Sequence, residues 1–149
     1  ADDKLEFAKS MGAISVVNSK NVANIVEAVK DITNGGASVS LDALGHPETC
    51  FNSIANLRKR GRHIQVGIME AQHRNPKIPM GLVISNELEI YGSHGMQAHR
   101  YHEMLEMIQR GILQPQRLIG KTISLDESAE ELANMNDFSN IGVTVIDRF

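Results

Sequence analysis

Short β-branched runs alternate with helical stripes through the first two thirds of this chain, and glycine or proline stands at most of the switches. Ile14 to Asn18 reads as a strand, and Val22, Ile25, Val26 and Val29 then recur at helical spacing until Gly35-Gly36 stops them. Val39 to Leu44 reads as the next strand. A helix is predicted from Pro47, whose fixed φ and missing donor suit a first turn, with Gly61 as its end. His63 to Gly67 and Glu87 to Tyr91 complete the strands, separated by a polar loop with two prolines. A helix over Asp3 to Gly12, with Leu5, Ala8 and Met11 on one side, precedes them all. Strands separated by helical lengths cannot be joined as hairpins, so the pattern demands crossovers and a parallel sheet.

After Gly95 the rhythm changes. Tyr101, Met104, Leu105 and Ile108 occupy one helical face, and Gly111 ends that helix. A strand from Thr122 to Leu125, a helix capped by Asp126 and a closing strand from Val143 to Ile146 are expected to follow. The predicted class is α/β, with a helix-strand-helix-strand tail over residues 96–149 behind a parallel-sheet part over residues 1–95.

A length of 149 residues supports one domain with its own core. The net charge of −3, with scattered basic residues, offers no footprint for nucleic acid or for an anionic membrane surface. The lone Cys50 cannot form an internal disulfide, and no apolar stretch resembles a signal peptide or membrane span, so a cytoplasmic setting is expected. Cys50 lies between apolar neighbours on its helix and reads as a buried, inert thiol.

Ligands of open parallel sheets sit where the chain leaves the carboxyl ends of the strands. Three exits here are small or glycine-bearing: Ala43-Leu44-Gly45, Val66-Gly67-Ile68 and Tyr91-Gly92-Ser93-His94-Gly95. Small residues let a flat ring or a ribose approach the backbone. Strand-ending glycines are common in any α/β domain, so for any one exit taken alone a plain turn outweighs a site.

The order of these segments carries more than any one of them. A Lys-Leu-x-x-Ala-x-x-x-Gly-Ala helix starting at Lys4, then Asp42-Ala43-Leu44-Gly45, then Gly61-Arg62-x-Ile64-x-Val66-Gly67, then Glu89-Ile90-Tyr91-Gly92-Ser93, resembles the zinc-dependent alcohol dehydrogenases of the medium-chain dehydrogenase/reductase family. The resemblance runs nearly end to end. It implies an incomplete Rossmann-type sheet lacking its first β-α-β unit, and a nicotinamide cofactor; NAD is favoured over NADP only because no basic cluster stands in the sequence to take the extra phosphate. It further implies that Ala43, Leu44 and Gly45 flank the adenine, that Lys4 lies near the adenosine ribose, and that backbone groups at Val66, Ser93 and Gly95, with Gly67 beside them, receive the nicotinamide carboxamide. For Lys4 a solvated helix-face role is an equal alternative.

By the same resemblance, the glycine-rich phosphate turn and the ribose-binding acidic residue precede Ala1, and a basic residue that faces the pyrophosphate is replaced by Val143. The family's zinc is held by a catalytic domain that these residues do not include, so no zinc ligand and no catalytic residue is assigned. His99 and His102, with Glu103, share a helix that supplies too few ligands for a metal, and His94 has no acidic residue to orient it. The expected function is the cofactor-binding portion of an NAD(P)-dependent, zinc-type alcohol dehydrogenase, weak in cofactor binding and without zinc-dependent alcohol oxidation on its own. The alternative is a non-catalytic remnant serving nucleotide binding or oligomerisation. Removal of two strands would leave an open edge at Val39 to Leu44, and the resemblance implies subunit pairing through Glu87 to Tyr91, so a homodimer or higher oligomer is expected.

Overall fold

The computed structural model describes residues 2–137 and 140–149. They form two compact units, one of residues 17–95 and one that gathers residues 1–16 with residues 96–149.

The unit of residues 17–95 is built on a three-stranded parallel sheet in the order β1 (Ala37–Asp42), β2 (Leu57–Gln65), β3 (Glu89–Gly92). Helix α2 (Ile25–Ile32) leads into it, α3 (Pro47–Ala55) crosses from β1 to β2, and α4 (Met80–Ser85) precedes β3. Asn24 caps α2 by accepting from the Glu27 amide at 3.2 Å. Pro47 opens α3 behind a His46 cap whose Nδ1 accepts from the Glu48 amide at 3.3 Å. Among the described residues the core is small: Cys50, Ile54 and Ala55 of α3 pack with Leu57 of β2.

Residues 14–17 form no strand, and Ile14 is fully exposed, because no described strand pairs with this segment. Gly61 does not end α3, which stops at Ala55; Gly61 lies inside β2, in a bulge that makes Ala37 pair with Leu57 but Val39 with Arg62. The bulge turns at Arg60, with φ 59°, and an added Cβ at Gly61 would meet the Arg58 carbonyl at 2.9 Å. The proline-bearing loop holds the short α4, whose six residues mix Gly81 with Val83 and Ile84 and carry little helical signal.

The strand register sorts the side chains by face. Ser40, His63 and Ile90 align on one face with Asp42, Gln65 and Gly92, and α3 covers this side. Leu41, Ile64 and Tyr91 align on the other, together with Val39, Arg62 and Glu89. Leu41 is 60% exposed there, whereas Asp42 is 3% exposed. The face under α3 is therefore the polar one. On the opposite face Arg62 Nε meets Glu89 Oε2 at 2.8 Å, Tyr91 donates to the same oxygen, and the hydrogen bond between Arg62 and Glu89 raises the guanidinium pKa and lowers the carboxyl pKa.

In the other unit, α1 (Asp2–Ser10) is accompanied by α5 (Tyr101–Gln109), β4 (Ile119–Ser124), α6 (Ser128–Asn134) and β5 (Val143–Arg148). Arg117 donates to the Ser10 carbonyl, tying α1 to the segment before β4. β4 and β5 pair in parallel around the buried Ile123, with α6 as the crossover. Gly120 lets the Ile141 carbonyl approach so closely that no Cβ fits. Asp126 does not cap α6: Glu127 precedes the helix, and its carboxylate accepts from the Ser124 amide at 2.7 Å. No described helix is long and apolar enough to cross a membrane.

Because Ile54 is 1% exposed in so small a core, Ile54→Ala is expected to cost about 2–5 kcal/mol in urea unfolding. A loss under about 1 kcal/mol would show that α3 does not anchor the sheet.

Candidate functional site

Strands β1 and β2 end side by side, and the turns that leave them are locked by one buried carboxylate. Asp42 Oδ1 accepts from the amides of Leu44 at 3.0 Å and Gly45 at 3.2 Å, and from Thr49 Oγ1 at 3.0 Å. Its Oδ2 accepts from Gln65 Nε2 at 2.8 Å. Its main-chain carbonyl accepts from the amides of Val66 at 2.9 Å and Gly67 at 2.8 Å. Desolvation works to raise the Asp42 carboxyl, but the hydrogen bonds from Gln65, Gly45, Leu44 and Thr49 outweigh it and hold the group below the usual aspartate range.

The network continues inward. Gln65 Nε2 donates to the Gly67 carbonyl at 2.8 Å as well as to Asp42, which commits both amide hydrogens and leaves Oε1 as an acceptor. His63 Nε2, 3.2 Å from that oxygen, is therefore assigned the ring hydrogen, and Nδ1 accepts from Ser53 Oγ at 3.0 Å and Ser40 Oγ at 3.4 Å. His63 is 1% exposed, so this is a positioning network rather than a reacting group open to solvent. Cys50, beneath it in α3, has its thiol pushed up by burial and by the Asp42 charge.

The two turns enclose an open cleft of about 530 Å³ lined by Ala43, Leu44, Gly45, Val66, Gly67 and Ile68, with Glu70 and His73 at its side. The His46 ring packs edge-on against His73, with centroids 5.0 Å apart. The glycines serve the contact between the turns: a Cβ on Gly45, at φ 81°, would lie 2.2 Å from the Ile68 carbonyl oxygen, and one on Gly67 would lie 2.2 Å from the Gly45 nitrogen.

Five residues singled out in the sequence, Ala43, Leu44, Gly45, Val66 and Gly67, thus meet in one place. Ser93 and Gly95 follow β3 in the same unit but lie outside this lining, and the Ser93 amide continues the sheet by donating to the Gln65 carbonyl at 2.9 Å. Lys4 is half-buried on α1, in the other unit. The residues that organise the cleft, Thr49, Ser53, His63 and Gln65, escape sequence reading, although Asp42 at the head of its Asp-Ala-Leu-Gly turn has the form of an aspartate that caps its own turn. His102 is engaged by Glu106 at 3.0 Å, and no group of three or more His, Cys, Asp or Glu among the described residues could hold a metal ion. A family zinc therefore finds no fit in these residues.

A parallel sheet whose strand exits form a small-residue cleft is the partial Rossmann-like arrangement that its sequence resembles. The chain belongs to the zinc-binding dehydrogenase family, whose profile matches residues 1–110. It is 31% identical over 145 residues to the scyllo-inosose 3-dehydrogenase of Thermotoga maritima, covering 95% of this chain and 36% of that protein. Over 138 residues it is 28% identical to the sorbitol dehydrogenase of Bacillus subtilis, covering 92% and 38%. Its fold superposes with a TM-score of 0.84, at 18% identity, on an Escherichia coli CFT073 protein described as a short chain alcohol dehydrogenase and crystallised with NADH, covering 100% of this chain and 42% of that one. The chain spans about two fifths of the length of these proteins.

Two outcomes follow from the geometry. Gly67→Ala, which drives a methyl group into backbone, is expected to cost about 2 kcal/mol or more in urea unfolding, and a neutral effect would mean that the turns can part freely. Because the folded Asp42 carboxyl lies below its unfolded value of about 3.9, its contribution is present above that pH and lost as pH falls through the folded value. Asp42→Asn should flatten the acid limb of the stability curve below about pH 4, and an unchanged limb would remove Asp42 from its cause.

Proposed function

We propose that these residues are the cofactor-binding portion of an NAD(P)-dependent alcohol dehydrogenase, with NAD favoured, which in the complete enzyme supports hydride transfer between an alcohol and its carbonyl product. The observation that carries the reading is the cleft outside the carboxyl ends of β1 and β2, lined by the turns that the family resemblance assigns to the cofactor. Leu44, Val66 and Ile68 offer apolar walls to a flat ring. The amides of Val66 and Ser93 are already committed, so a carboxamide would be received at these positions through carbonyl oxygens, with its NH2 donating. When bound, the nicotinamide supplies the hydride donor or acceptor, and these residues orient it. Lys4 is the candidate ribose contact. NAD is favoured over NADP because the sequence holds no basic cluster that would pair with the extra phosphate.

In this reading residues 1–95 are the dinucleotide-binding part and residues 96–149 the tail. The 149 residues hold no G-x-G-x-x-G turn, so their own grip on the pyrophosphate is weak, and zinc chemistry requires ligands from elsewhere. β3 presents an exposed edge strand with Ile90 and Tyr91 both accessible, which supports self-association by antiparallel pairing across a two-fold axis. The buried, unpaired Cys50 fits the reducing cytoplasm.

Titration of the isotope-labelled chain with NADH is expected to shift the NMR signals of Ala43, Leu44, Gly45, Val66 and Gly67, with a dissociation constant above the low micromolar range. Shifts confined to other residues would sink the assignment. Light scattering is expected to give a mass above that of the monomer, reduced toward it by Ile90→Lys; a monomer at high concentration would sink the edge-pairing reading.

A further inference from the structure

Asp42 is the only described residue that bonds both cleft turns at once, with its side chain on the amides of Leu44 and Gly45 and its carbonyl on those of Val66 and Gly67. Gln65 closes the arrangement by linking Asp42 Oδ2 to the Gly67 carbonyl, each at 2.8 Å. The turns touch through Gly45 and Gly67 with no room for a Cβ between them, so their spacing is set by backbone contact and held by these bonds. A site spanning both turns gains from a fixed spacing, because a ligand whose two halves are covalently joined binds tightly only if both subsites stand at the matching separation.

We propose that Asp42, braced by Gln65, is a positioning residue that fixes the distance between an adenosine subsite at residues 43–45 and a nicotinamide subsite at residues 66–68. The proposal rests on the cofactor reading of this cleft. It makes a specific demand on substitution. Replacement of the carboxylate by an amide leaves a single acceptor oxygen, which can serve either Gln65 or the Leu44 and Gly45 amides but not both. Each subsite keeps its own surface and the main-chain bonds from the Asp42 carbonyl to Val66 and Gly67 remain, while the side-chain link through Gln65 is lost.

The test measures the affinity of the whole 149-residue chain for NADH and, separately, for its two halves, AMP and nicotinamide mononucleotide, by NMR shift titration up to millimolar ligand. For Asp42→Asn the expected result is about a tenfold loss for NADH, the scale of one charged hydrogen bond, with AMP and nicotinamide mononucleotide held within about twofold. Thermal unfolding of the same samples establishes that the fold is retained. Gln65→Leu, which removes the brace but leaves Asp42 on its turn, is the second variant and is expected to show the same split more weakly; if Asp42→Asn does not fold, this variant decides. An equal loss for all three ligands shows a merely structural role and overturns the proposal, as does an unchanged NADH affinity. A wild-type chain that binds the ligands at these turns while both variants bind NADH as it does overturns the proposal alone. A wild-type chain that binds none of the three overturns the cofactor reading with it.

Discussion

Burial of Asp42 is the constraint on which the cleft depends. A carboxylate at 3% exposure is tolerable only when its lone pairs are met by donors, and here four donors from three directions converge on it. Meeting that requirement folds the exit of β1 back on itself, draws Thr49 of α3 toward the strand end, and orients Gln65 of β2. Gln65 then fixes the His63 ring, and His63 in turn engages Ser40 and Ser53. The polar chain from Thr49 to Ser53 thus joins β1, β2 and α3 through directional bonds where a larger domain would rely on apolar bulk.

The same arrangement explains why the sheet is polar on its covered face. In most half-covered sheets the apolar residues point toward the helix layer. Here Ser40, Asp42 and His63 do so, and Leu41, Val39 and Tyr91 stay accessible on the opposite side. The ion pair of Arg62 with Glu89, and the ring of Tyr91 beneath Arg62 at 5.2 Å, give that open face a mixed apolar and charged character.

In the proposed reading, binding is separate from chemistry. The cleft offers apolar walls and carbonyl acceptors, which under the proposed cofactor reading would serve orientation. None of its lining residues combines a nucleophile with an adjacent base, and the buried His63 is held in a hydrogen-bond chain. Orientation of a cofactor is a sufficient use for such a site, because the reactive group belongs to the cofactor itself.

Local chemistry made much of this legible in the chain itself. Pro47, the periodic Val22, Ile25, Val26 and Val29, and the alternation of β-branched runs with helical stripes act within a few residues, so α3, α2 and the parallel order of β1, β2 and β3 could be read from sequence. The turns at residues 43–45 and 66–67 were legible for the same reason, since small residues after a strand have a local meaning. Tertiary structure decided the rest. Ile14 to Val17 has strand propensity but no ladder to join, and Gly61 looks like a helix stop until the pairing of β1 with β2 demands a bulge. Asp42 and Gln65, which lie 23 positions apart, become one unit only when parallel pairing sets them side by side. Propensity acts along the chain, whereas a buried hydrogen-bond network is defined by which chains are brought together, and no window of sequence contains that information.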